Sequence, residues 1–90
     1  AKIGNNVILW SGNHIGHHSE IGNNCFIASH AVVSGNVKIG NNCFIGVNAT
    51  IVNDIEIGNY VFIGAGVIVT DNVTDGTRLT VKTESFLKGI

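Results

Sequence analysis

Three of the four histidines, His14, His17 and His18, lie within residues 11–20, in the stretch SGNHIGHHSE. Imidazoles this close suit two chemistries. One is metal binding, since neutral imidazole is a common ligand, but zinc needs three or four donors converging on one point. The other is general-base catalysis, since a free imidazole titrates near pH 6.5 and exchanges protons at neutral pH. Choosing between them requires knowing where the backbone points each ring.

The elements that position these rings are legible as a repeat. IGNN occurs at residues 3–6, 21–24 and 39–42, and IGNY at 57–60, each 18 residues after the last. Inside each 18 sits a period of six. Ile3, Leu9, Ile15, Ile21, Ile27, Val33, Ile39, Ile45, Ile51, Ile57, Ile63 and Val69 are all aliphatic, and Asp75 breaks the series. With the aliphatic residue as position one, position five is also mostly small or apolar. Positions five, six, one and two then alternate in and out as a strand does. Positions three and four are rich in Asn, Gly, Ser and His, residues that tolerate positive φ or bond their own backbone at corners. Each six is therefore a short strand and a corner, and three sixes close a triangular lap. The expected fold is all-β: stacked 18-residue laps forming a parallel β-helix over residues 1–74, with residues 75–90 as a cap or tail that leaves the register. The segment ESFLKGI at 84–90 reads as a short helix or an extended cap.

On this frame His17 and His18 take positions three and four of one corner, and His14 points outward from the strand leading to it. His30 belongs to a different corner one lap up. One lap above His17 and His18 lie Gly35 and Asn36, and Asn53–Asp54 and Asp71–Asn72 continue the edge. Adjacent corner side chains diverge, and no two histidines are 18 or 36 residues apart, so no bound metal is expected. Asn13 and Ser19 are polar exceptions at inward position five and are expected to buttress the histidine corner. Phe26, Phe44 and Phe62, spaced by 18, should form an outward aromatic ladder suited to a contact surface.

Composition bounds the function classes. A 90-residue chain of net charge −1 carries no electrostatic footprint for nucleic acid or an anionic membrane, and has no apolar run long enough to span a bilayer. No nucleic-acid partner is expected. Cys25 and Cys43 read as small apolar core thiols in a reducing compartment, and with no visible signal peptide the expected location is cytoplasmic. The chain starts with Ala and has the look of a piece of a longer protein.

The repeat over residues 3–74 resembles the hexapeptide-repeat family, which implies a left-handed parallel β-helix and a homotrimer with parallel prism axes. The stretch GHHSEIGNNCFIASHAVVSGNVKIGNNCFIGVNATI resembles, more narrowly, sugar acetyltransferases of the sialic-acid O-acetyltransferase and bacillosamine N-acetyltransferase type. Their motif of His, acidic residue, small residue, any residue and Ile/Val-Gly falls on His17, His18, Ser19, Glu20, Ile21 and Gly22, with His18 in place of the acidic residue. By this resemblance His17 is the general base and acetyl-CoA is the co-substrate. His18 stands where the family has its acidic residue, so the orienting partner of His17 is expected among Ser19, Glu20 and a group from a neighbouring subunit, with His14 as a further partner or substrate contact. Gly35, in SGNVKIG, is the amide that meets the thioester. Val47 and Ala65, in FIGVNA and IGAGV, line the pantetheine and adenine through their backbone. The implied function is O- or N-acetylation of a sugar or nucleotide-sugar in surface-polysaccharide synthesis. Such enzymes also carry a nucleotide-sugar domain and often a Gly-x-Pro-Ala-Lys-like ending, neither of which is seen in these residues.

Two competing readings share the fold. A gamma-carbonic-anhydrase-like metal hydratase would place zinc between subunits. A non-catalytic β-helix would serve as a scaffold or an ice-binding surface, the latter disfavoured because the threonines form no ladder of period 18.

Overall fold

The computed structural model describes residues 1–81. Residues 84–90, expected as a helix or extended cap, lie outside the described residues. The chain forms thirteen two-residue strands joined by corners, with no helix among the described residues. The strands stack into three parallel sheets. The first sheet contains Lys2–Ile3, Glu20–Ile21, Lys38–Ile39 and Glu56–Ile57. The second contains Ile8–Leu9, Phe26–Ile27, Phe44–Ile45, Phe62–Ile63 and Arg78–Leu79. The third contains His14–Ile15, Val32–Val33, Thr50–Ile51 and Ile68–Val69. Pairing is in register at a separation of 18, as in Ile3 with Ile21 and Ile21 with Ile39. This is the parallel β-solenoid of hexapeptide repeats, consistent with a left-handed β-helix.

Its sequence logic is steric. Positions one and five point into a column where Ile27, Val33, Ile45, Ala49, Ile51 and Ile63 are completely buried. Every corner from Asn6 to Gly66 turns at position four with φ between 56° and 73°. The left-handed conformation falls there alone and not at position three, which explains why Asn, Asp and Gly supply eight of those eleven residues. The first lap is open: Ile3 and Leu9 remain 43% and 42% exposed because no coil lies below them.

The ladder does not stop at residue 74. After Val69 the chain loses two residues from a lap: Val73 bridges Ile57, and Arg78–Leu79 pairs with Phe62–Ile63, a separation of 16. Asp75 takes the corner place above Asn59 and accepts its N–H at 2.7 Å. The 18-residue register is thus already left at Asn72 and Val73, before residue 75, and the residues through Leu79 still add to the stack.

The two cysteines stack at position five inside the column, free and buried, each thiol donating weakly to a carbonyl of the next lap, Cys25 to Gly40 and Cys43 to Gly58. Its hydrogen bond with Cys25, together with burial, pushes the Cys43 thiol well above the ordinary range. The outward aromatic ladder is present. Phe26, Phe44 and Phe62 stack at centroid distances of 5.4 and 4.9 Å, Trp10 tilts against Phe26, and the Arg78 guanidinium lies 4.1 Å from the Phe62 ring centre.

Candidate active site

The corner that carries His17 and His18 lies between the third and first sheets. Its backbone is fixed from the lap above: Asn36 N–H donates to His17 C=O at 2.7 Å, and Gly16 N–H to Val33 C=O at 2.7 Å. Both rings are exposed, with centroids 6.4 Å apart and planes inclined by 48°. They border two open grooves. The larger, about 500 Å³, runs across the first sheet between Lys2, Glu20, Lys38 and the histidines. The smaller, about 250 Å³, climbs the same edge past Gly35, Asn36, Asn53 and Asp54. Neither ring makes a side-chain hydrogen bond within the described residues, so both keep their nitrogens for a ligand.

Not every expected partner arrives there. His14 is exposed on the outer face of the third sheet, in register with Val32, and lines neither groove. His30 turns the other way, its imidazole filling the space above Gly12 on the edge between the second and third sheets. Ser19 does buttress the histidine corner. Completely buried, its hydroxyl donates to Ser34 C=O at 2.6 Å and accepts Val37 N–H at 3.1 Å. That commits the hydroxyl inward, away from His17. Asn13 instead serves the preceding corner, its Nδ2 donating to Trp10 C=O at 2.6 Å.

The Gly35 amide, expected to be bare, is occupied: it donates to Asn53 Oδ1 at 3.0 Å. This follows a general feature of the corners. A position-three amide is capped when the residue one lap above is Asn, as with Asn5 by Asn23, Asn23 by Asn41 and Asn41 by Asn59. Gly35, Val47 and Ala65 cannot cap what lies beneath them. The amides of His17, Ser29 and Val47 accordingly find no acceptor among the described residues, nor does that of Ala65, which lies below Val81. Val47 and Ala65 therefore present exposed, uncapped donors one lap apart on one edge, and His17 adds a donor beside its own ring. Each cap depends on a side chain one lap away, which a corner read by itself does not reveal. The groove residues Lys2, Glu20 and Lys38 were visible as position six of successive laps on one sheet.

Among the described residues no group of three or more His, Cys, Asp or Glu side chains gathers to hold a metal ion. Nor do the described residues contain a helix long and apolar enough to cross a membrane.

The 18-residue parallel coil built of hexapeptides is the feature that ties this chain to known proteins. The sequence matches the family described as bacterial transferase hexapeptide (six repeats) over residues 1–35 and 36–71, and the chain belongs to that family. No curated protein sequence gave a match. Among solved structures, the serine acetyltransferase of Neisseria gonorrhoeae superposes with a TM-score of 0.80 at 27% identity, over 90% of this chain and 35% of that one. A histidine-to-alanine mutant of GDP-perosamine N-acetyltransferase from Caulobacter crescentus, in complex with CoA and GDP-perosamine, gives 0.64 at 24% identity, over 86% and 45%. Serine acetyltransferase isoform 3 from Entamoeba histolytica, in complex with cysteine, gives 0.61 at 23%, over 88% and 39%. The last two likenesses speak to fold alone. The chain spans less than half the length of each of these structures.

Proposed function

We propose that this chain carries acetyl-CoA-dependent O- or N-acetyl transfer to a sugar or nucleotide-sugar, with His17 as general base. His17 takes the proton of the acceptor hydroxyl or amine as its oxygen or nitrogen attacks the thioester carbonyl. A tetrahedral oxyanion forms, the C–S bond breaks, and the proton passes from the imidazolium to the departing CoA thiolate. His18, the neighbouring ring, contacts the acceptor or orients His17. The observation that carries this reading is the histidine corner itself. It is the one place where two exposed imidazoles border both open grooves, on a backbone held from the lap above.

Three further features support it. The uncapped amides of Val47 and Ala65 are donors suited to the amide carbonyls of pantetheine. Lys2 and Lys38 on the larger groove suit the phosphates of a nucleotide-sugar. Gly35 N–H becomes available to an oxyanion when Asn53 Oδ1 gives it up; until then His17 N–H is the uncapped donor nearest the ring. A homotrimer completes the proposal, with the half-buried phenylalanine ladder, flanked by the 54% exposed Trp10, packed on a neighbouring protomer. The proposed location is the cytoplasm, and the proposed setting is polysaccharide biosynthesis.

The test has two arms. Acetyl-CoA and CoA should raise the melting temperature by mass action. CoA release should be measured against amino-sugars, nucleotide-sugars and L-serine, for the parent chain and for His17→Ala, with sedimentation confirming that the trimer persists. Release that depends on a sugar acceptor and is lost in His17→Ala supports the proposal. Release with L-serine alone overturns the sugar assignment, and equal turnover in both proteins overturns the base.

A further inference from the structure

The family motif resembled here places an acidic residue directly after the histidine base, and this chain has His18 there. A fixed negative charge nevertheless stands on the same edge, two laps higher. His18, Asn36 and Asp54 occupy position four of successive laps, with φ of 60°, 56° and 64°, so their Cα–Cβ bonds stack in one column. Asn36 Nδ2 donates to Asp54 Oδ1 at 2.8 Å, and all three residues line the smaller groove with His17.

The chemistry of this contact sets its direction. An ionised carboxylate only accepts, so Asn36 must turn its NH₂ upward to Asp54. Its carbonyl oxygen is then left facing down the column, toward His18. The corresponding column on the Asn edge has no such constraint: Asn6 Nδ2 donates to Asn24 Oδ1 at 2.8 Å, but either amide there could flip, since each carries both donor and acceptor. Asp54 thus makes the difference between a ladder of fixed polarity and one of free polarity.

We infer that Asp54, acting through Asn36, is a positioning residue that holds His18 in one tautomer: one ring N–H donates to Asn36 Oδ1, and the other nitrogen offers its lone pair to the groove. His18 swings onto the ladder by side-chain rotation alone, because its ring is exposed and otherwise unbonded. The other charged or titratable groups facing it are His17, Lys2, Glu20, Lys38 and the Ala1 amino group, all on the larger groove and none on the ladder. The ladder thus ties a carboxylate, relayed through an amide, to His18, the residue that stands where the motif has its own acidic side chain. The catalytic consequence rests on the acetyl-transfer reading of this corner; the ladder does not.

The experiment is nitrogen-15 NMR of the imidazoles at a pH where they are neutral, on the parent chain, Asp54→Asn and Asn36→Gly. Both variants keep residues that already turn these corners at positive φ, Asn at Asn24 and Asn42 and Gly at Gly12, so the coil is retained. In the parent, His18 should show one protonated and one bare nitrogen. In Asp54→Asn, where the ladder is free to flip, and in Asn36→Gly, where it is cut, the two shifts should move toward their tautomer average, with His30 unchanged. Averaged His18 nitrogens in the parent, or identical His18 shifts in all three proteins, would overturn the inference. With acetyl transfer in hand, Asp54→Asn should lower kcat on the order of tenfold with little change in KM, the scale for losing an orienting partner. A changed His18 spectrum with unchanged turnover upholds the ladder and removes His18 from the reaction.

Discussion

Gly16 and Gly35 lie at the same corner, one lap apart, and the packing treats them oppositely. A Cβ on Gly16 would fall 2.6 Å from Ser34 C and 2.7 Å from Gly35 N, both backbone atoms. Carbon contacts need about 3.4 Å or more, so the two laps must part locally by roughly 0.7 Å. That parting stretches the 2.7 Å bonds Gly16 N–H to Val33 C=O and Asn36 N–H to His17 C=O to about 3.4 Å, beyond the usual 2.7–3.2 Å. Two weakened backbone bonds at about 0.5–1.5 kcal/mol each, with overpacking of about 1–3 kcal/mol, give about 2–6 kcal/mol for Gly16→Ala. A Cβ on Gly35 meets only His17 O at 3.6 Å and Asn53 Oδ1 at 3.9 Å, and its φ is not positive. Gly35→Ala should therefore lie within about 0.5 kcal/mol of the parent, or be slightly more stable because the unfolded chain loses freedom. Equilibrium urea denaturation at fixed protein concentration measures both. A Gly16→Ala cost below about 1 kcal/mol, or a Gly35→Ala cost as large as that of Gly16→Ala, would refute the stacking geometry on which the histidine corner depends.

Further outcomes follow from buried groups. Ser19→Ala strands the Ser34 carbonyl and the Val37 N–H, which can then bond each other as Ala31 N–H bonds Ala28 C=O and Ala49 N–H bonds Gly46 C=O; the loss in urea titration should be only about 1 kcal/mol. Because the folded state holds the Cys43 thiol above its ordinary value of 9.0, the unfolded chain ionises first as pH rises. The contribution of this thiol to stability should be fully present below pH 9 and be lost as pH rises further, and unfolding curves of Cys43→Ala should lose that part of the fall.

Much of the fold was legible because the aliphatic period of six is enforced by a column that admits nothing else. Ile27, Ile45 and Ile63 hold identical buried places in successive laps. The continuation past residue 74 was hidden by a change of phase. Counting in sixes from Ile3 puts Asp75 in the core, whereas Val73 and Leu79, themselves six apart, restart the pattern with Asp75 and Gly76 as their corner. At the candidate site, the exposure of His17 and His18 followed from their corner positions. Whether the corner amides were free did not, because it depends on side chains one lap away: Asn53 caps Gly35, and nothing caps Val47. His14 lies near the corner in sequence but lines neither groove. Three residues before a corner in a two-residue strand is a different face of the prism.

The central claim, that the His17 corner performs acid–base chemistry on an acceptor attacking acetyl-CoA, is tested most directly by the rate of acceptor-dependent CoA release in His17→Ala against the parent chain. Loss of a positioned general base predicts a fall of about 10²- to 10⁴-fold in kcat with the trimer and its melting temperature retained. Turnover within about twofold of the parent, in a protein that still binds acetyl-CoA, would contradict the account.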